Sequence, residues 1–448
     1  MPNNDEDELT TSTFKRSMKL AKIPAGFAAR TTVGLGKRMV GTPAAAVSES
    51  VQRKTAEQMF SVLGQLKGGA MKFGQAMSVF EAALPESVAA PYRQTLNKLQ
   101  DAAPPMSAAT VARIMATEFG ADWETRFPKF NLEPAAAASI GQVHRATWID
   151  DEGLPRDVAV KIQYPGAAEA LVSDMKQISR VARLFGPLLP GIDIKSLTEE
   201  LKERIAEEVD YDMEAGAQAI FAAEYANDPE VFVPMPLTHT ARALVSEWVD
   251  SARSLADVIN SGTQAERDRL GENFVRFLFS GPARIGLLHA DPHPGNYRVL
   301  ADGRLAVVDY GSVARLPEGL PPIVGQLLRA ASEDDYDRVL DGLRAEGFIL
   351  PDTKIDYELM ARFIRPLVEP VMTETFSFNR EWLREQSQRM SAPGAEGVSA
   401  TFKLNIPREY LLIHRVWMGG VGVLCQLEAT APFRDVVSAN LPGFADPN

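Results

Sequence analysis

Apolar positions recur at intervals of three and four through residues 46–120, as in the run Met59, Val62, Leu63 and Leu66. This spacing places apolar side chains along one face of an α-helix. Glycine and proline residues punctuate the pattern at several points. The segment is therefore predicted to be a helical extension that precedes the rest of the chain.

The pattern changes in residues 121–252 to short β-branched runs separated by turn residues. Runs at Ile140–Trp148, Val158–Gln163 and Ala243–Val249 predict strands. A segment from Ser196 to about residue 226, with apolar residues at steps of four, predicts one major helix. Together these elements predict a small lobe that contains a sheet.

Residues 253–448 are again mainly helical in pattern, with one exception. Asp302-Gly303 lies between the short runs Tyr297–Leu300 and Arg304–Val308, which predicts a β-hairpin. The fold class is therefore predicted to be α+β. It has two lobes, a sheet-containing N-lobe and a mainly helical C-lobe, with the helical extension in front of them.

The composition favours a folded, soluble enzyme, because 45% of the residues are hydrophobic and 24% are charged. A formal net charge of −12 argues against a general nucleic-acid binder, which needs clustered positive charge. The one cysteine, Cys425, follows Val423 and Leu424, and we predict that it is a buried small apolar residue.

The sequence has no run of 18 or more apolar residues, so no transmembrane helix is predicted. The acidic start at Asp5–Glu8 lacks the apolar core of a secretory signal, and the chain is expected in the cytoplasm. Residues 11–48 hold seven basic residues and no acidic one. A solvated or docked tail is the favoured interpretation of this basic leader, residues 1–45. Peripheral contact with anionic lipid is the alternative.

The strand Val158–Gln163 carries a candidate catalytic lysine. Its period of two sends Val158, Val160 and Ile162 to one face, and Ala159 and Lys161 to the other. A lysine in mid-strand can pair with nucleotide phosphates, and the small alanine leaves room for a flat base. Kinase strands carry this V-A-I-K arrangement, although a lysine on the exposed face of any strand is the simpler alternative.

The segment His289–Asn296, followed by Asp309-Tyr310-Gly311, gives the stronger signal. Asp291 and Asn296 have the spacing of a kinase catalytic loop, and Asp309 begins a counterpart of D-F-G. The predicted hairpin brings Asn296 and Asp309 together as oxygen ligands that suit Mg²⁺. Asp291 is then placed to act as the base, or to orient the acceptor, in phosphoryl transfer.

Two alternatives apply to the same segment. His289, Asp291 and His293 form an H-x-D-x-H string that is typical of a zinc or iron site, and a purely structural loop is also possible. A kinase-like site also needs a helical glutamate to pair with Lys161. Glu208 is the first choice among the acidic residues of the predicted helix, and Glu214 is the second.

Further motifs stand in order along the chain: Lys72-Phe73-Gly74-Gln75 (K-x-G-Q), Leu99-Gln100-Asp101 before Pro104-Pro105, Ala136–His144, Glu208-Val209-Asp210-Tyr211 with Glu214-Ala215, and the His289–Asn296 and Asp309–Gly311 pair. Together they resemble the UbiB/AarF family of atypical kinases, also called ADCK proteins, over residues from about 50 to 320. In that family an alanine-rich loop replaces the glycine-rich loop of ordinary kinases, and alanine stiffens such a loop.

The resemblance implies a site for ATP or ADP with Mg²⁺. Its implied residues are Asp291, Lys161 and Glu208 for catalysis; Ala136, Ala137, Ala138, Ser139, Ala159, Lys161, Glu247 and Val249 for nucleotide binding; Asn296 and Asp309 for the metal; and Lys72, Gln75 and Glu214 for regulation.

The implied activity is that of a kinase or ATPase coupled to a small-molecule, lipid or isoprenoid-quinone pathway. No A-P-E signature follows Asp309-Tyr310-Gly311, which disfavours peptide substrates. Many relatives carry C-terminal membrane spans and this sequence predicts none, which weakens the link to quinones. A phosphotransferase of the aminoglycoside or choline kinase type, and a regulatory nucleotide-binding module, remain as alternatives.

Overall fold

A computed structural model describes residues 105–138, 140–169, 207, 209–251, 253–351, 353–355, 357–391 and 404–445. The leader, nearly all of the predicted extension with Lys72 and Gln75, and the single positions Ser139 and Glu208 lie outside the described residues. The roles predicted for these residues stay predictions. The predicted domain boundaries also stay predictions.

The strands, in chain order, are β1 Lys129–Phe130, β2 Ala136–Ala137, β3 Gly141–Ile149, β4 Pro155–Gln163, β5 Val231–Phe232, β6 Pro236–His239, β7 Ala243–Glu247, β8 Arg253–Ser254, β9 Leu287–His289, β10 Tyr297–Val299, β11 Leu305–Val307, β12 Val313–Arg315, β13 Phe376–Ser377 and β14 Thr430–Ala431. The α-helices are α1 Ala108–Phe119, α2 Trp123–Arg126, α3 Tyr211–Glu224, α4 Leu255–Ser261, α5 Gln264–Ile285, α6 Pro322–Ser332, α7 Tyr336–Ala345, α8 Tyr357–Met372, α9 Arg380–Ser391, α10 Leu411–Leu427 and α11 Phe433–Asn440. Short 3₁₀ turns occupy Pro294–Asn296 and Arg408–Tyr410.

The N-lobe sheet has the strand order β1-β3-β4-β7-β6, and β2 pairs with β3 at one end. The predicted alternation along β4 is confirmed, because Val158, Val160 and Ile162 are fully buried while Lys161 lies on the other face. The buried face packs against α1, through residues such as Met115. The last described helix of the predicted extension therefore completes the core of the N-lobe.

The predicted helix from Ser196 to about residue 226 is wrong at Val209 and Asp210. The helix α3 begins only at Tyr211, because the Asp210 carboxylate accepts hydrogen bonds from the backbone N–H groups of Asp212 and Met213 and so caps the helix. Only residues from 207 onward, without 208, can be compared with the prediction, since residues 196–206 lie outside the described part.

The C-lobe packs around α5, which contributes Leu270, Phe274 and Phe277 to the main hydrophobic core. The predicted hairpin is confirmed: β10 and β11 pair antiparallel, with Tyr297 opposite Val307. Cys425 is buried in this core, as predicted. Burial also raises the pKa of its thiol.

One segment of the described chain, Arg408–Leu427, is long and apolar enough to cross a membrane by length and composition. More than half of its apolar window, 56%, is buried inside the protein. Core helices of soluble proteins meet the same length and composition test. Val416, Val423 and Leu424 contribute this segment's apolar face to the C-lobe core.

Candidate active site

Lys161 lies between two carboxylates at the interface of the lobes. Its Nζ atom lies 2.7 Å from Oε1 of Glu214 and 3.2 Å from Oδ2 of Asp309. The Glu214 side chain is 1% exposed and that of Lys161 13%, so the pair lies in a poorly solvated environment. Burial alone would lower the pKa of Lys161, but Asp309 and Glu214 outweigh it and raise that pKa well above its usual range. The lysine therefore remains charged.

The structure corrects the choice of helical glutamate. Lys161 pairs with Glu214, the second choice from the sequence, whereas Glu208 lies outside the described residues. The Asp210 cap starts the helix so that Glu214 falls in its first turn, against the strand that carries the lysine. Burial raises the pKa of the Glu214 carboxyl, and Asp309 adds to that effect while Lys161 opposes it.

The Asp309-Tyr310-Gly311 segment is held from both sides. The backbone N–H of Tyr310 donates to Oε1 of Glu214 at 3.5 Å, and that of Gly311 donates to Oδ1 of Asp309 at 3.0 Å. The Tyr310 ring is buried, with its centroid 5.0 Å from that of Phe221 on α3. The orientation of Asp309 is therefore fixed by the same glutamate that holds Lys161.

His289 joins the predicted catalytic loop, His289–Asn296, to this segment. Its Nε2 donates to the backbone carbonyl of Asp309 at 2.7 Å, and its Nδ1 lies 3.4 Å from the hydroxyl of Tyr297. The ring is fully buried, and burial lowers the pKa of His289, which favours the neutral form. The residue is a structural link between two parts of the site.

Asn296 and Asp309 come together as the hairpin prediction requires. The backbone N–H of Val308 donates to the carbonyl of Asn296 at 3.0 Å, which places Asp309 directly after that bond. The Asn296 amide also donates to the carbonyl of Asp291 at 3.3 Å, so the loop folds back on itself. Hydrogen bonds through the backbone therefore link the loop at Asp291 and Asn296 to the residue that precedes Asp309.

An additional residue, Arg415 on α10, contacts Asp291, with its Nη2 atom 3.4 Å from Oδ1 of the carboxylate. Arg415 lies more than a hundred positions from the loop, and no local motif in the sequence marks it.

The alanine-rich segment lies along the same sheet as Lys161. Ala136 on β2 is opposite Val143 on β3, which is opposite Lys161 on β4. Cross-strand partners share a face of a sheet, so this row places Ala136 on the face of the lysine. The carbonyl of Gly141 accepts from the N–H of Ala138, which closes a tight turn at the end of the sheet.

The other predicted nucleotide contacts lie at the opposite end of β4. Ala159 shares the face of Lys161, as predicted, and pairs with Ser246. Glu247 is opposite Val158, and its carboxylate accepts from the N–H of Met235, so its side chain does not join the face of the lysine. Val249 lies beyond the end of β7. Nucleotide binding by these residues stays a prediction.

The alternative of a zinc or iron site finds no support in the described part of the chain, where no group of three or more His, Cys, Asp and Glu residues is arranged around a common point. The residues do fit Mg²⁺. Asn296 and Asp309 offer amide and carboxylate oxygens, and Mg²⁺ takes most of its other ligands from phosphates and water. Lys161 also faces two carboxylates, so an additional cation would balance the charge there.

Comparison with known proteins identifies the family. Residues 98–342 match the ABC1 atypical kinase-like domain, which covers more than half of the chain. The chain belongs to this family. The match confirms the resemblance to UbiB/AarF proteins and the two-lobed kinase-like α+β fold.

Several relatives in the family are similar along most of this chain. The chloroplastic protein Activity of BC1 Complex Kinase 1 of Arabidopsis thaliana is 28% identical over 87% of this chain and 55% of its own length. Mitochondrial atypical kinase coq-8 of Caenorhabditis elegans is 26% identical over 90% of this chain and 52% of its own length. The chain therefore spans about half the length of these curated relatives.

One solved structure matches this chain over its own full length, unlike the two relatives above. The Mycobacterium tuberculosis protein Rv3197, determined in complex with erythromycin, is 38% identical. The match covers 90% of this chain and 100% of that one, with a TM-score of 0.66.

Proposed function

We propose that this chain binds ATP or ADP with Mg²⁺ and acts as an atypical kinase or ATPase. The observation that carries the proposal is the buried contact of Lys161 with both Glu214 and Asp309. A charged lysine held in this way is placed to meet nucleotide phosphates, as the corresponding lysine does in kinases.

The charges of the site support the same proposal. Asn296 and Asp309 would hold the metal ion, which when bound would neutralise charge on the phosphates. Lys161 would bind phosphate oxygens from the sheet side, while Glu214 keeps the lysine in place. The alanine-rich turn at Ala138 borders the same face of the sheet.

Asp291 is the proposed base or orienting carboxylate. An acceptor hydroxyl, or water in hydrolysis, forms a bond to the terminal phosphorus, and the bond from that phosphorus to its bridging oxygen breaks. The nucleoside diphosphate leaves with that oxygen, and the proton of the acceptor passes to Asp291. The Asp291 side chain is 12% exposed, so it is not fully closed off from solvent.

We propose a small or lipid-like acceptor, including one from an isoprenoid-quinone pathway, rather than a peptide. Strand β12 follows Gly311 almost directly, and α6 begins at Pro322, so little chain is available for a peptide-docking platform. Macrolide binding is a second candidate, because the relative that matches over its whole length was solved with erythromycin.

The test measures thermal stabilisation by ATP and by ADP, with and without Mg²⁺, together with phosphate release. Wild type is compared with Asp309→Asn and with Asp302→Asn, a matched control on the exposed turn of the neighbouring hairpin. We expect Mg²⁺-dependent stabilisation and slow phosphate release, both lost in Asp309→Asn and kept in Asp302→Asn. Wild type that responds to neither nucleotide refutes the proposal. Erythromycin, added alone and with Mg²⁺–ATP, tests the second candidate in the same assay.

A further inference from the structure

The helix α10 lies directly against the catalytic loop at two points. Arg415 contacts the carboxylate of Asp291 at 3.4 Å. One turn later, a Cβ atom added at Gly419 would lie 2.5 Å from Cγ of Pro292, so only glycine allows this approach without a shift of the loop. Residues four apart share one face of a helix. Consecutive turns of α10 therefore contact consecutive residues of the loop.

The catalytic loop supplies no permanent cation of its own next to its aspartate. The residues between Asp291 and Asn296 are Pro292, His293, Pro294 and Gly295. Within the described part of the chain, α10 brings a guanidinium, that of Arg415, within ion-pair distance of Asp291.

The solvent exposure of the Arg415–Asp291 pair indicates that it matters more for the orientation of Asp291 than for the stability of the fold. The Arg415 side chain is 43% exposed and that of Asp291 is 12% exposed. Partly solvated ion pairs of this kind stabilise a fold only weakly, because water already solvates the charges. Such a pair contributes little to folding, whereas the direction of a catalytic carboxylate affects the rate strongly.

We propose that Arg415 is a positioning residue, which holds the Asp291 carboxylate in the direction needed for phosphoryl transfer, and that Gly419 permits the close packing that makes this contact possible. This inference rests on the proposed function. It assigns a role in the active site to α10, in the part of the chain for which the sequence predicts only helices.

The experiment compares Arg415→Ala and Arg415→Lys with Arg434→Ala, a matched control at an exposed arginine on α11. We expect Arg415→Ala to lower kcat for phosphate release about 10- to 100-fold, the scale of a misplaced catalytic group. The KM for ATP and the thermal stabilisation by Mg²⁺–ATP should stay within about twofold of wild type, because nucleotide binding does not use Arg415. A lysine keeps the positive charge but lacks the planar set of N–H donors of a guanidinium. Arg415→Lys should therefore have a kcat between those of Arg415→Ala and wild type.

A second pair of variants tests the packing at α10. Gly419→Ala should lower kcat in the same way, since the added methyl group meets Pro292. Gly420→Ala should leave kcat unchanged, because a Cβ atom there would lie an ordinary 3.5 Å from Leu278.

The outcomes separate this inference from the proposed function. Unchanged kcat in Arg415→Ala, or an equal loss in Arg434→Ala, overturns the positioning role while the wild-type activity stands. Loss of rate together with loss of nucleotide stabilisation in both Arg415 variants also overturns it, because the residue would then support the fold. Wild type without nucleotide stabilisation or phosphate release overturns both proposals.

Discussion

Lys161 on β4 and Glu214 on α3 form a contact of 2.7 Å that joins the sheet of the N-lobe to its helix. The same glutamate oxygen accepts the backbone N–H of Tyr310, so strand, helix and the Asp309-Tyr310-Gly311 segment meet at one carboxylate. A change at Glu214 therefore affects the lysine and the proposed metal ligand together.

Glu214→Gln is expected to lower the free energy of unfolding by about 3 kcal/mol, the low end of the range for a broken buried ion pair, because Asp309 still faces Lys161. Phosphate release should fall at least about tenfold, as the lysine loses its fixed position. Chemical denaturation and a phosphate-release assay measure the two effects.

The control for this change is Asp212→Asn on the same helix, where the side chain is 85% exposed and its carboxylate lies 2.9 Å from Nε2 of the partly exposed His239. It should change the free energy of unfolding by less than about 0.5 kcal/mol. Equal effects of the two substitutions would mean that the Lys161–Glu214 contact has no special role.

The sequence predicts the strand of Lys161 correctly, because the alternation of Val158, Val160 and Ile162 directly reflects burial on one face. It does not decide between Glu208 and Glu214. That choice depends on where the helix begins, and the beginning is fixed by a local cap at Asp210 rather than by apolar periodicity.

Asp291→Asn is expected to abolish phosphate release and to leave stabilisation by Mg²⁺–ATP within about twofold of wild type in apparent Kd, because the amide cannot accept the proton and the metal ligands remain. Thermal shift titrations and single-turnover phosphate release provide the measurement. Phosphate release at the wild-type rate would exclude Asp291 as the base. Loss of nucleotide stabilisation would instead place it among the binding residues.

The contact of Arg415 with Asp291 shows why the C-lobe site is only partly predictable. Residues of the loop and the hairpin are close in sequence, and a turn at Asp302-Gly303 is enough to bring Asn296 and Asp309 together. The approach of α10 depends instead on packing across the whole lobe. Its local signature, a glycine at position 419 that allows contact with Pro292, has meaning only once the fold is known.

His144 is expected to make the protein less stable in mild acid. Its ring is fully buried, and its Nδ1 donates to the carbonyl of Asn131. Its Nε2 lies 2.8 Å from the amide of Gln142, whose oxygen is already occupied by the N–H of Met106. A proton on Nε2 would therefore meet another donor. Burial lowers the pKa of His144 below 6.5, although the bond to Asn131 partly opposes the shift.

The sign of the pH effect follows from linkage. The unfolded chain binds a proton at His144 near pH 6.5 and the folded chain does so only at lower pH, so stability is lost as the pH falls below 6.5. The fall in Tm from pH 7.5 to 5.5 should be smaller in His144→Gln than in wild type. A steeper fall in His144→Gln would contradict the prediction.

Gly141→Ala is expected to destabilise the N-lobe strongly, whereas Gly216→Ala should not. A Cβ atom at Gly141 would lie 2.1 Å from the carbonyl oxygen of Ile162, so the strands β3 and β4 would have to separate beside Lys161. The free energy of unfolding should fall by at least about 1–3 kcal/mol, the usual range for overpacking.

The control is Gly216, on the exposed face of α3. A Cβ atom there meets nothing within 4 Å, and alanine should stabilise the helix by about 0.5–1 kcal/mol. Denaturant unfolding of the two variants measures both effects. A Gly141→Ala variant with the free energy of unfolding of wild type, or a higher one, would show that the close approach of β3 and β4 does not depend on glycine.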